Sequence, residues 1–115
     1  MKENVIVEKT YRFAQATIVL CRQVRELREF ELSRQLFKAG ISIGANVEEA
    51  QAGQSRADFL SKMSIAAKEA RECRFWLRLI CDDDVLKKLP AAAPLADCEE
   101  IVRILTSIVK STGES

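Results

Sequence analysis

The chain contains no histidine, and only four of its 115 residues are glycine and two are proline. Without histidine the usual general base near neutral pH is missing, and so is a principal zinc ligand. There is no GxSxG elbow, no glycine-rich phosphate loop and no clustered metal-ligand motif. Ordinary hydrolytic, phosphoryl-transfer and metal-assisted chemistry therefore has no residues to carry it, and the expectation is a protein without catalytic residues, cofactor or small-molecule substrate. Long apolar runs are also missing. No stretch of about 20 apolar residues is available to span a bilayer, and no secretory leader is expected. A cytoplasmic location away from membranes is expected. Charge of one sign is lacking too: 18 basic residues face 17 acidic ones. That balance is not the bulk signature of a nucleic-acid binder.

Cysteine is present but sparse and badly spaced for chemistry. Cys21, Cys73, Cys81 and Cys98 form no CxxC pair. On one helix Cys73 and Cys81 would sit about 12 Å apart at a rise of ~1.5 Å per residue, too far to bridge. Each lies in an apolar stripe, which reads as free buried thiols in a reducing compartment.

What the chain does contain is helix-forming sequence. Apolar residues make up 48% of it, enough for a chain of this length to build one domain with a real core. Alanine, leucine, glutamate, lysine, arginine and glutamine dominate, and β-branched runs of period two are few. A first helix is predicted over residues 4–27, with a broad apolar stripe of Ile6, Val7, Tyr11, Phe13, Ala14, Ile18, Leu20, Cys21, Val24 and Leu27. A polar break over Arg28–Glu31 forms the first turn, and Ser33 is a candidate N-cap. The second helix, 32–52, has a core row of Leu36, Gly40, Ile43, Val47 and Ala50. Gly40 and Gly44 each cost ~1 kcal/mol in a helix interior, so they imply close approach to a neighbouring helix. Gly53 reads as the C′ residue that ends this helix.

Ser55 and Asp58 form a capping box for a third helix over 56–81. Its seam of Phe59, Met63, Ala66, Ala70, Cys73, Leu77 and Ile80 alternates steps of four and three, a strict heptad. Asp82, Asp83 and Asp84 end it, one of them capping a short turn over Val85–Leu89. Pro94 suits the first turn of a fourth helix, 94–110, with Ser111 to Ser115 fraying. Short turns between four amphipathic helices predict an all-α, up-down-up-down antiparallel four-helix bundle, with helices 1 and 3 on a diagonal.

Two sets of residues are candidates for contact with something else. On helix 2, Ser42, Asn46 and Glu49 share one face and read as a buried or interfacial hydrogen-bond row that sets register. Basic residues concentrate in two rows: Arg22 and Arg25, and Arg71, Arg74 and Arg78. Residues 4–28 hold five basic and two acidic side chains, 55–81 six and three, and 82–115 four and seven. The turn positions place Lys38 opposite Glu69, Glu31 near Arg74 to Arg78, Arg12 opposite Glu48 and Tyr11 opposite Glu49. Glu48 and Glu49 are about 100° apart on a helix and make no facing carboxylate pair.

The run from Ser33 to Ile80 resembles the four helix bundle protein family, also known as 23S rRNA intervening-sequence or S23-like proteins, a bacterial group of unknown function. Gln35, Leu36, Ser42, Ile43, Ala45, Asn46 and Glu49 meet the family's helix 2 pattern, and Arg56, Phe59, Ile65, Ala66, Lys68 and Glu72 its helix 3 pattern. The resemblance implies an up-down bundle and a ring-like homo-oligomer, a homopentamer in known members. Gly40, Ser42, Gly44, Asn46 and Glu49 then become family and interface positions. Some members are encoded within large-subunit rRNA genes, and a strongly basic relative works with a retroelement reverse transcriptase. The leading expectation is a non-enzymatic homo-oligomeric interaction or scaffold protein. The alternative is an RNA- or DNA-binding accessory protein that repeats Arg22/Arg25 and Arg71/Arg74/Arg78 around a ring.

Overall fold

Helix-favouring composition with apolar residues every three or four positions yields four long helices, joined wherever the stripe breaks. The computed structural model describes residues 2–114. Helix α1 spans Lys2–Glu26, α2 Phe30–Gln51, α3 Arg56–Asp82 and α4 Ala92–Glu114, with a 3₁₀ turn at Leu86–Lys88. Consecutive helices pack together, and α1 closes the bundle against α4. Contacts run in opposite chain order across each interface: Thr10 meets Gly44 while Thr17 meets Gly40, and Cys98 meets Ala70 while Arg56 meets Thr112. The α1–α2 and α3–α4 pairs are therefore antiparallel, and the bundle measures 46 × 20 × 19 Å.

The core follows the heptads. Met63, Ala66, Ala70, Cys73, Leu77 and Ile80 of α3 are buried, with Phe59 partly so. Leu36, Ile43, Val47 and Ala50 of α2 are buried with them in the core, and α4 adds Cys98, Ile101, Val102, Leu105 and Ile108. The glycines of α2 face α1. A Cβ on Gly40 would sit 2.6 Å from Thr17 Cγ2, and one on Gly44 3.2 Å from the Thr10 carbonyl oxygen. Thr10 and Thr17 are themselves buried, and their hydroxyls donate to the carbonyls of Ile6 and Phe13 at 2.8 Å. That back-bonding satisfies each hydroxyl inside its own helix, so the threonines can face backbone without an unpaired donor.

The caps show which local signals hold. Ser55 Oγ accepts from the Asp58 amide at 3.1 Å, as its spacing predicts. Asp83 Oδ2 accepts from the amides of Val85 and Leu86 at 3.0 and 2.9 Å and caps the 3₁₀ turn. Ser33 is not an N-cap. Phe30 and Leu32 carry α2 further back, and Ser33 lies buried in its first turns, donating to the Cys21 carbonyl of α1 at 2.9 Å. Gly53 has no positive φ; glycine fits there because a Cβ would crowd the Ala50 oxygen at 3.1 Å and the Phe59 nitrogen at 3.2 Å. Helix α4 does not stop at Lys110 but continues to Glu114, and Ser115 lies outside the described residues. The Arg56 guanidinium donates to the Thr112 carbonyl at 3.1 Å and ties that last turn to the start of α3.

The anticipated cross-helix pairs do not form. Arg12 pairs with Glu8 and Arg34 with Glu31, each within its own helix. Among the described residues Lys38 does not meet Glu69, nor Arg12 Glu48, nor Tyr11 Glu49. A pair one turn away needs no chain to reach across a groove, so local pairing wins. Lys9 and Glu100, at 2.9 Å, link α1 to α4 instead.

The α1–α2 turn ends in a Schellman arrangement: the Arg28 amide donates to the Arg25 carbonyl and the Glu29 amide to the Val24 carbonyl, at 2.8 and 3.4 Å. Arg28 holds φ at 66°, a left-handed conformation that glycine adopts without the Cβ penalty. Arg28→Gly should therefore raise unfolding stability by about 1 kcal/mol in urea titration; a fall would contradict this account of the turn.

Candidate functional site

The close approach of α1 and α2 has a consequence on the outside of the bundle. With the Gly40 and Gly44 contacts filling the inner row, the next row outward is left uncovered. Tyr11, Ala14 and Ile18 of α1 and Phe37, Ile41 and Ala45 of α2 line a seam between the helices. Its upper part is an apolar pocket of about 350 Å³ that includes Tyr11, Ile41 and Glu48. Its lower part is a groove of about 540 Å³ where Ile18, Phe30 and Phe37 stand beside Arg22, Arg25 and Arg34. Tyr11, Phe30 and Phe37 are 59%, 49% and 46% exposed, a large aromatic area for one surface of a small chain.

The chemistry of the groove is cationic and aromatic. The Arg25 guanidinium lies 5.3 Å from the centre of the Phe30 ring, and Arg28 lies 5.9 Å from it, both within cation–π range. Arg34 is held by Glu31 at 2.7 Å, and hydrogen bonds from Arg34 and Gln35 hold the Glu31 carboxyl below its ordinary range. Arg22 and Arg25 form no ion pair among the described residues. Cys21 and Ser33 close the floor: Ser33 Oγ donates to the Cys21 carbonyl and Cys21 Sγ to the Ser33 carbonyl, at 2.9 and 3.5 Å. Burial pushes the Cys21 thiol up to about 11, against a smaller opposing pull from Ser33. It is therefore protonated near neutral pH, which disfavours it as a nucleophile.

The structure brings some sequence candidates together and separates others. Arg22 and Arg25 join Arg34 in the groove. Arg71, Arg74 and Arg78 lie on α3, across the diagonal from α1, and do not extend that patch. The Ser42, Asn46 and Glu49 row makes no bond to another helix. Ser42 Oγ donates to the Lys38 carbonyl at 2.6 Å and Asn46 Nδ2 to the Ser42 carbonyl at 2.8 Å, both inside α2, while Glu49 is exposed. Register between α1 and α2 comes from Gly40, Gly44 and the Ser33–Cys21 link instead. Asp83 is engaged as a cap, and among the described residues no group of three acidic or cysteine side chains is placed to hold a metal ion.

Sequence reasoning missed Thr10, Thr17, Phe30 and Phe37. Two signals pointed to them. Thr10 and Thr17 sit seven residues apart, in phase with the buried Ile6, Phe13 and Leu20. Phe30, Phe37 and Ile41, with steps of seven and four, form a second apolar row on α2 outside the core row.

These features define a small all-α bundle whose main uncovered feature is an apolar and basic seam. Against known proteins, the chain belongs to the 23S rRNA-intervening sequence protein family, whose model matches residues 2–107. That span reaches well beyond the Ser33–Ile80 segment that carries the resemblance in sequence. A protein of unknown function from the S23 ribosomal protein family of Bacteroides thetaiotaomicron, with a crystal structure at 1.70 Å, is similar to it. The two are 41% identical over 96% of this chain and 99% of that one, with a TM-score of 0.85. No curated protein is similar to the chain. None of the helices is long and apolar enough to cross a membrane, among the described residues.

The Cys21 thiol makes the α1–α2 contact sensitive to alkali. Its folded pKa of about 11 exceeds the ordinary 9.0, so the unfolded chain releases that proton first and stability falls between pH 9 and 11. Urea titrations across that range should show a shallower fall for Cys21→Ala than for the parent; equal slopes would remove Cys21 from the linkage.

Proposed function

We propose that this protein is a non-catalytic bundle that assembles with copies of itself into a closed homo-oligomer and serves as an interaction or scaffold protein in the cytoplasm. The observation that carries this reading is the α1–α2 seam. Its aromatic residues are half exposed, they follow helical spacing, and they lie outside a core that is already complete without them. A surface of this kind is stabilised by being covered. An interface of ~800 Å² per partner is ordinary for a specific complex and is a minor part of the 6911 Å² that this chain exposes. Five copies is the number that the family resemblance implies. Nucleic acid fits the geometry less well, because the two basic rows sit on diagonal helices and the net charge is only +1.

Sedimentation equilibrium at micromolar concentration tests the reading. The expected mass is near five times the 12.9 kDa of one chain, and a 12.9 kDa species alone would overturn it. Phe37→Glu should shift the distribution toward monomer with no loss of helicity by circular dichroism, since Phe37 lies outside the core.

A further inference from the structure

The basic groove has a chemical counterpart on the same chain. Helix α3 ends in Asp82, and Asp83 and Asp84 follow directly, then Val85, which is 60% exposed. Leu79, one turn back, is 45% exposed. The corner borders a second groove of about 410 Å³, where Leu32, Leu79 and Leu86 stand among Glu29, Asp82 and Asp83. The amides of Leu86 and Val85 hold the Asp83 carboxyl below its ordinary range, so it is charged at neutral pH. Asp84 meets only Lys87, at 3.5 Å, with its side chain 99% exposed. Asp82 forms no ion pair among the described residues. Lys87 and Lys88 sit on the 3₁₀ turn and offset part of this charge, as Glu31 offsets Arg34 in the basic groove.

We propose that the acidic corner of one copy docks in the basic groove of the next. Asp82 and Asp84 would face Arg22 and Arg25, while Leu79 and Val85 cover Phe30 and Phe37. This rests on the reading that the protein self-associates, and it names the surfaces that meet. The two patches match in both respects that an interface needs, with apolar area on each and opposite charge around it. They also match in height. The C-terminus of α1, the N-terminus of α2 and the C-terminus of α3 all lie at one end of the antiparallel bundle, so groove and corner share a level along its axis. They are different patches, so the contact is head-to-tail. A head-to-tail contact adds each copy by the same rotation, and a series whose rotation closes is a ring.

Two half-disabled variants test this. Arg22→Glu/Arg25→Glu destroys the groove and leaves the corner; Asp82→Lys/Asp84→Lys does the reverse. All four side chains are exposed, and Asp83, which caps the 3₁₀ turn, is untouched. Circular dichroism melts establish that both variants fold. Each variant alone should be monomeric in analytical ultracentrifugation, with its self-association weakened at least tenfold. Mixed one to one, they should assemble again past the dimer, because the acidic corner of one meets the basic groove of the other and the lysine corner meets the glutamate groove. All four substitutions on one chain should restore the larger assembly. If the parent assembles and both variants still assemble, the interface lies elsewhere and this proposal falls while self-association stands. If the parent itself is monomeric, self-association falls with it.

Discussion

The contact on which the rest depends is the approach of α2 to α1 through Gly40 and Gly44. At these two places a backbone meets Thr17 and Thr10 with no side chain between them. Two helix-interior glycines lose about 2 kcal/mol of helix propensity together, and the close packing they permit has to offset that. Thr10 and Thr17 suit the position because each hydroxyl is bonded back to its own helix. The β-branched side chain then presents compact bulk to the facing helix. The Ser33–Cys21 link at the lower end and the Schellman turn at Arg28 fix the same pair of helices where they meet.

That arrangement decides what is left outside. Helices drawn together on their inner row must diverge on the outer one, and on α1 and α2 the outer row is apolar and aromatic. The seam from Tyr11 to Phe30 is thus a consequence of the packing, not an accident of a few exposed side chains. Arginines line only its lower half, beside the turn, and the acidic run after α3 returns to the same end of the bundle. Charge is therefore sorted by position although the chain is nearly neutral as a whole. A mean over the sequence conceals that sorting, and only the fold brings residues 22, 25 and 34 to one groove and residues 29, 82 and 83 to another.

Much of the fold was legible before the structure, and the reasons are local. The α3 heptad from Phe59 to Ile80, the Ser55–Asp58 cap and the aspartate-capped turn are short-range signals that tertiary contacts do not override. The close-approach reading of Gly40 and Gly44 also held, though not which residues they meet. What failed depended on partners from other helices. Ser33 has the composition of a cap, but a carbonyl on α1 claims its hydroxyl. The last turn of α4 carries fraying-prone residues, but an arginine on α3 holds it. The groove was the least legible feature, because Phe30 and Phe37 lie outside the core row of α2 and their partners Ile18, Arg22 and Arg25 lie on another helix. The placement of the family's matching residues over 2–107 accords with a bundle specified along its whole length.

A double-mutant cycle between positions 17 and 40 tests the central contact most directly. Alanine at Gly40 would place its Cβ 2.6 Å from Thr17 Cγ2 and 2.8 Å from its Oγ1, and overpacking of this kind costs ~1–3 kcal/mol. The account predicts that Gly40→Ala destabilises the parent, and that the same substitution in a Thr17→Ala background does so much less or stabilises. The coupling should exceed about 1 kcal/mol, well outside what independent sites show. Equal effects of Gly40→Ala in both backgrounds would mean that α2 does not rest on α1 through this pair.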